Sequence, residues 1–236
     1  MTTILSLVQS FTDKTGIPTP SAVVGVTEKS VRQMRALLQE CVRDLTEYQW
    51  PQQTLRVTWT SLATADQGAL TTIFGSGFKT LVADTLWNET RHMRIYGPVT
   101  PAVWQALQTL PNAGPEYQYW VSNGHLFVSP TLAAGETLAG MYVTSEGILD
   151  IDGTTTKAAF TADDDSLLFP DNVVLRCLEY KWKKQKGEAG WEDDYNSYIG
   201  LLAKSLTSQT APTLKLDSTQ PSMRPGIIIP AGSWNV

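Results

Sequence analysis

Apolar residues near the start of the chain recur with the period of an α-helix. Ile4, Leu7, Val8 and Phe11 share one face of a helix predicted over residues 4–13. Thr2 or Thr3 is placed to cap its start and Gly16 its end. After a turn at Ile17-Pro18-Thr19-Pro20, a second helical stripe runs through Val31, Met34, Leu38, Cys41, Leu45 and Tyr48. It predicts a helix over residues 28–48, with Thr27 as N-cap and Pro51 closing it.

The period then changes from helical to two. Leu55, Val57 and Trp59 alternate with polar neighbours, which predicts a half-buried strand over residues 54–60. A short helix is expected over residues 70–74, and Gly75-Ser76-Gly77 breaks the chain after it. Residues 78–95 read as strands or irregular structure. Thr100-Pro101 is a helix start, an N-cap followed by Pro at the first helical position, and the helix carries Val103, Trp104 and Leu107. In YQYWVSNGHLFVSP two alternating runs flank Asn123-Gly124, the dipeptide of a type I′ hairpin turn. Another strand is expected over residues 137–144, a turn at Asp152-Gly153, and a loop through Asp163, Asp164 and Asp165.

The helical period returns in LLFPDNVVLRCLEYKWKKQKGEAGWEDDYNSYIGLLAKSL. Val174, Leu175, Leu178 and Trp182 stripe one helix, capped by Asp171 or Asn172 and ended by Gly187. Lys181, Lys183, Lys184 and Lys186 crowd its C-terminal half, where cations complement the helix dipole. A last helix, residues 191–208, opens on Glu192, Asp193 and Asp194 and is striped by Tyr195, Tyr198, Ile199, Leu202 and Leu206. From residue 209 onward the period is lost, and four prolines punctuate the tail around the apolar triplet Ile227, Ile228 and Ile229. The triplet either lies back on its own domain or pairs with another subunit's sheet edge.

Neither helix pair covers its own stripe. The expected fold is therefore α+β: a helical bundle of two N-terminal and two C-terminal helices, with an inserted mainly-β region and an extended C-terminal arm. The corresponding segments are residues 1–50 and 166–208 for the two halves of the bundle, 51–165 for the β-rich region and 209–236 for the arm.

Composition narrows the chemistry. Only 17% of the residues are charged, and the net charge of −5 leaves no strongly basic overall footprint for nucleic acid. Eight tryptophans is a high count, suiting either core positions or subunit contacts. Cys41 and Cys177 form neither a disulfide framework nor a zinc motif and suit a reducing cytoplasm. No secretory signal is expected in the first fifteen residues, and no apolar run is long enough to span a membrane.

Catalytic patterns are near misses. GSGFKT has Phe78 where a phosphate-binding loop needs Gly before Lys. His92 and His125 are the only histidines, and neither has an evident triad partner. Asp150-x-Asp152-Gly153 lacks the later ligands of a calcium loop and reads better as a turn. Asp163 to Asp165 suit capping and solvation better than paired acid–base work. The lysine cluster reads as a solvated helix end, with DNA phosphate as the functional alternative. The chain is expected not to be an enzyme, and no catalytic residue, metal or cofactor is predicted. A carbohydrate- or peptide-binding β module, with Trp104, Tyr119 and Trp120 as a stacking platform, is the alternative from another class.

DQGALTTI, TLWNET, YGPVTPAVWQAL, HLFVSP and DDDSLLFP with the KWKKQKG helix together resemble the head-to-tail adaptor (connector) proteins of tailed bacteriophages, the short-tailed type above all. The resemblance implies a ring, commonly of twelve copies, docked beneath the portal protein, with tail-tube or nozzle proteins on its other side and genomic DNA passing through. It places the protein at the head–tail junction of the virion, assembled in the host cytoplasm without a membrane partner. It implies a partner-gripping C-terminal arm carrying Ile227, Ile228 and Ile229. The basic cluster Lys181, Lys183, Lys184 and Lys186 would face the channel or the portal. A tail-tube or nozzle component is the neighbouring reading, and the long middle segment departs from the smaller adaptors.

Overall fold

The computed structural model describes residues 2–109 and 116–210. Among these, six α-helices form: α1 (Ile4–Thr15), α2 (Lys29–Thr46), α3 (Leu70–Phe74), α4 (Pro101–Thr109), α5 (Asp171–Lys186) and α6 (Trp191–Thr210). The strands are β1 (Thr54–Thr60), β2 (Asp66–Ala69), β3 (Phe78–Leu81), β4 (Trp87–Asn88), β5 (Met93–Tyr96), β6 (Tyr117–Ser122), β7 (His125–Ser129), β8 (Thr137–Thr144), β9 (Ile148–Leu149), β10 (Thr156–Lys157) and β11 (Ser166–Leu167).

The dominant body is an eight-stranded mixed sheet curled into a half-barrel. Its order is β1-β8-β4-β5-β6-β7-β2, with β3 also paired to β8. Every pairing is antiparallel except β5 with β6, whose parallel run is joined by the crossover that carries α4. The inner face holds its own core, including Leu70, Phe74, Leu86, Ile95, Tyr119, Leu126, Val128, Leu138 and Tyr142. Gly140 keeps this core closed, because a Cβ there would lie 2.5 Å from a methyl of Leu86. The hairpin turn forms as the Asn-Gly dipeptide demands, with Asn123 at φ 48° and Gly124 at φ 73°.

This corrects the expected fold class. The protein is not a helical bundle carrying a β insert: the curled sheet with its own core is the principal body. Nor do the helices form a closed four-helix bundle. They gather around α5, which packs against α2, α6 and α1 and is buried on several sides, through Val173, Val174, Cys177, Leu178, Tyr180, Lys181 and Trp182. The physical reason lies in what seals the stripes. Local apolar periodicity shows that a helix needs a partner, and Trp50, Ile148, Phe160, Leu167 and Phe169, all outside helices, fill the helical core alongside α1, α2, α5 and α6.

The caps of α1 stand where the sequence places them, and those of α2 and α5 differ from expectation. Thr3 caps α1 and accepts from the backbone N–H of Ser6, and Gly16 ends it at φ 70°. The residue before α2 is Glu28 rather than Thr27, and its side chain makes no capping bond. Pro170 precedes α5, so Asp171 opens the helix instead of capping it.

A buried joint on the helical core links α2 to the sheet. The indole N–H of Trp50 donates to the carbonyl of Leu45 at 2.9 Å, and its ring lies 5.5 Å from that of Phe169. Gly147 is confined there: a Cβ would approach Phe169 to 2.5 Å and Val42 to 2.7 Å. A three-stranded ribbon, β10-β9-β11, extends the joint, and its Ser166 bridges to Thr3 ahead of α1.

Candidate functional site

Strand parity assigns the outer face of the half-barrel. Register pairs Arg56 with Met141, Trp87 with both Ala139 and Arg94, Tyr96 with Gln118, and Trp120 with Phe127. These residues alternate with the buried inner set, so they share the outer surface. The crossover helix covers only one half of it. Trp104 of α4 stacks on Trp120 with centroids 5.5 Å apart and meets Phe127 at 6.1 Å, sealing the sheet over β6 and β7.

Over β8, β4 and β5 no element of the described chain does the same. Trp87, Tyr96 and Met141 are exposed there. The Arg94 guanidinium lies 5.0 Å from the Tyr96 ring centre and pairs with Asp84, and Arg56 pairs with Glu89. A shallow cleft of about 310 Å³ opens between Arg56, Trp87, Glu89 and Met141. An aromatic and thioether surface edged by arginines has the composition enriched at protein contacts.

A second uncovered surface lies on the helical body. Five residues stripe α6 in the sequence, but only Tyr198 and Leu202 are buried, while Leu206 is half-buried. Tyr195 and Ile199 stand exposed, because α6 packs chiefly on α5 and no helix among the described residues covers its other side. Tyr195 still touches Tyr180 edge-on at 5.3 Å, so its ring is positioned rather than free.

Each lysine of the basic cluster meets a partner on the helical body, although only Lys181 is buried. Lys181 is 7% exposed, and its ammonium bonds Glu40 at 2.6 Å and Asp44 at 2.7 Å, both on α2. Burial alone would lower its pKa; the hydrogen bonds to Asp44 and Glu40, with the charge of Asp44, outweigh that and hold it above the ordinary lysine value. Lys183 pairs with Asp194 at 2.6 Å, tying α5 to α6. Lys184 lies 5.1 Å from the Trp191 ring centre. Lys186 packs 4.6 Å from that of Trp182 and donates to Gln33 at 3.0 Å. Each of the four thus has an intramolecular partner. Ile227, Ile228 and Ile229 lie outside the described residues.

The proposed stacking trio does not assemble on one surface. Tyr119 is 0% exposed and faces the inner core, whereas Trp120 faces outward and Trp104 is 8% exposed against it. The acidic loop is structural. Asp163 accepts from the backbone N–H groups of Val23 and Val24 at 2.9 and 2.7 Å. Asp165 is buried and accepts from Lys157 at 2.6 Å and from the N–H groups of Thr161 and Ala162 at 2.7 and 3.0 Å. His125 sits 3.0 Å from Asp66 and stacks on Phe127, with no serine or cysteine bonded to it among the described residues. Asp152 closes a local turn on Thr154 and Thr155. No group of three or more His, Cys, Asp or Glu among the described residues is placed to hold a metal.

Sequence reasoning gave no role to Trp87, Arg94 and Met141. The signal was present as a parity violation. In the run 137–144, Leu138, Gly140 and Tyr142 occupy one face, and Met141 is a large apolar residue on the other. Alone it is an ordinary surface methionine; register with Trp87 and Arg56 makes it part of a patch. No helix among the described residues is long and apolar enough to cross a membrane.

No protein-family model matches the chain, and no curated protein matches it significantly.

Proposed function

We propose that this protein is a structural, non-catalytic subunit of a tailed-bacteriophage particle: a head-to-tail adaptor. On this reading copies of the chain form a ring, docked on the portal and connecting it to the tail, around the channel through which DNA leaves the head.

The observation that carries the reading is the pair of uncovered apolar surfaces on different bodies of one chain. One is the arginine-edged patch of Trp87, Tyr96 and Met141 on the sheet. The other is the Tyr195 and Ile199 stripe on α6. Unlike patches on one subunit suit head-to-tail contacts, in which patch one of each copy meets patch two of the next, and such contacts close into rings when the rotation allows. The segments that carry the adaptor resemblance build this scaffold. TLWNET supplies β4 with Trp87, and YGPVTPAVWQAL supplies the α4 crossover. DDDSLLFP leads through β11 to α5. The low charge fraction of 17% fits a chain whose surface is largely used in contacts.

The test is the mass of the chain mixed with the portal ring of the same phage, by light scattering after size exclusion. A complex heavier than the portal by a whole-number multiple of 26.0 kDa, near twelve, supports the adaptor. An intact portal that binds nothing overturns it. A tail-tube or nozzle component would instead assemble with tail proteins and leave the portal alone.

A further inference from the structure

The curled sheet ends in an open strand. Among the described residues no strand pairs with the outer edge of β1. Which backbone groups that edge offers follows from β8. The carbonyls of Thr137 and Met141 accept from the N–H groups of Glu89 and Val82, on the side away from β1. Thr137 and Met141 are in register with Thr60 and Arg56. Bonding alternates along an antiparallel pair, so the N–H and C=O groups of Arg56, Thr58 and Thr60 point away from β8, into the open edge.

Edges of this kind are normally blunted by short strands, bulges, proline or lysine. The opposite edge is: β2 has four residues and a register shift. β1 instead runs seven residues in unbroken register, without proline or lysine, and its one arginine pairs with Glu89. Its apolar side is also incompletely covered. Leu55, Val57 and Trp59 pack on the core of the sheet but stay only partly buried, since no strand lies beyond them.

The chain carries a segment that fits this edge. Gly226-Ile227-Ile228-Ile229-Pro230 holds the one run of three consecutive Ile or Val residues in the sequence. β-Branched side chains suit a pleated surface, and Pro230, lacking an N–H, limits the pairing to a short stretch. In a strand, Ile227 and Ile229 share one face and Ile228 takes the other. The pair would extend the apolar row of Leu55, Val57 and Trp59. Sixteen residues separate Thr210, the end of α6, from Ile227. Extended, they span about 50 Å, and a compact body of this size is about 45 Å across. β1 starts directly after Gln53, beside Trp50 of the helical core, which brings its edge within reach of the chain's own tail. A flexible tether of this length holds the triplet at an effective concentration on the order of millimolar, which favours the chain's own edge over that of a second copy.

We propose that Ile227, Ile228 and Ile229 add to the outer edge of β1 of the same chain as a further strand, with Ile227 and Ile229 on the inner face of the sheet. The proposal does not depend on the adaptor reading.

Amide hydrogen exchange of the full chain, followed residue by residue by NMR, tests it. The amides of Arg56, Thr58 and Thr60 should exchange at least about ten-fold more slowly than in the Ile227→Asp/Ile229→Asp variant. The amides of Leu55, Val57 and Trp59, which face β8, should stay protected in both and report that the sheet is intact. Ile228→Asp, on the outer face, should leave the protection in place. Thr58→Pro removes an N–H from the open edge without touching the β8 ladder, and it should expose Arg56 and Thr60. Fast exchange at Arg56, Thr58 and Thr60 in the parent overturns the proposal and leaves the edge to another protein. Equal protection in the parent and the double variant overturns it as well. Protection that rises with protein concentration would assign the edge to a second copy and overturn the same-chain assignment.

Discussion

Gln53 and Thr144 stand 91 residues apart in the chain and are joined by a buried hydrogen bond, the Gln53 side-chain amide donating to the Thr144 carbonyl at 3.2 Å. The same amide reaches the carbonyl of Thr46 at the end of α2, and its oxygen accepts from the N–H of Trp50. One completely buried side chain thus ties the last turn of a helix to the last residue of β8. Gln53→Ala should destabilise the protein by about 1–3 kcal/mol, because a buried carbonyl loses its partner. Chemical denaturation measures this, and an unchanged midpoint would show that the joint does not depend on Gln53.

Gly147 offers a second probe of the joint. Its missing Cβ is the space occupied by Phe169 and Val42, at 2.5 and 2.7 Å. Gly147→Ala should cost about 1–3 kcal/mol through overpacking. Thermal unfolding of the variant, paired with Gly200→Ala, whose added Cβ would meet nothing within 4 Å, separates a crowded joint from a general glycine effect.

Asp165 governs acid stability. Burial raises its pKa, but hydrogen bonds from Lys157 and from the N–H groups of Ala162 and Thr161 outweigh this and hold the carboxyl below its ordinary value. A depressed folded-state value means the stabilisation is complete above the unfolded value, about 4, and is lost as pH falls through the folded one. Asp165→Asn should lower stability at neutral pH by about 1–3 kcal/mol. It should also flatten the loss of stability below about pH 4. Denaturant midpoints from pH 7 to pH 2 check both, and parallel curves for the two proteins would contradict the assignment.

Trp87→Ser and Ile199→Ser remove apolar surface that no described element covers. Both should leave the unfolding free energy within about 0.5 kcal/mol of the parent. Each should reduce self-association, measured by sedimentation velocity, and the double variant should be no worse than either if the two patches meet one another. Loss of stability in place of association would mean that these residues belong to the fold.

Among the described residues, the last to pack into either hydrophobic core is Leu206. Removing residues 211–236 should therefore keep cooperative unfolding, while reducing co-migration with the portal ring on size exclusion if the tail is a partner-gripping arm. A truncated chain that fails to fold would make the tail part of the core instead.

Period and punctuation alone determined much of this protein. The stripe of α1, the alternation of β1, the Asn123-Gly124 hairpin and the Gly187 helix end are local: a few neighbouring side chains set each, and each stands where the pattern places it. What partners those elements take is not local. The sheet, rather than the helices, became the principal body because β8 pairs with β1, β3 and β4, strands drawn from far along the chain. Lys181 reads as a solvated helix end until α2 brings Glu40 and Asp44 against it. Ile199 reads as buried until no helix arrives to cover it. Periodicity states which face of an element is apolar; only packing decides whether that face meets the protein's own core, a cavity or the surface of another molecule.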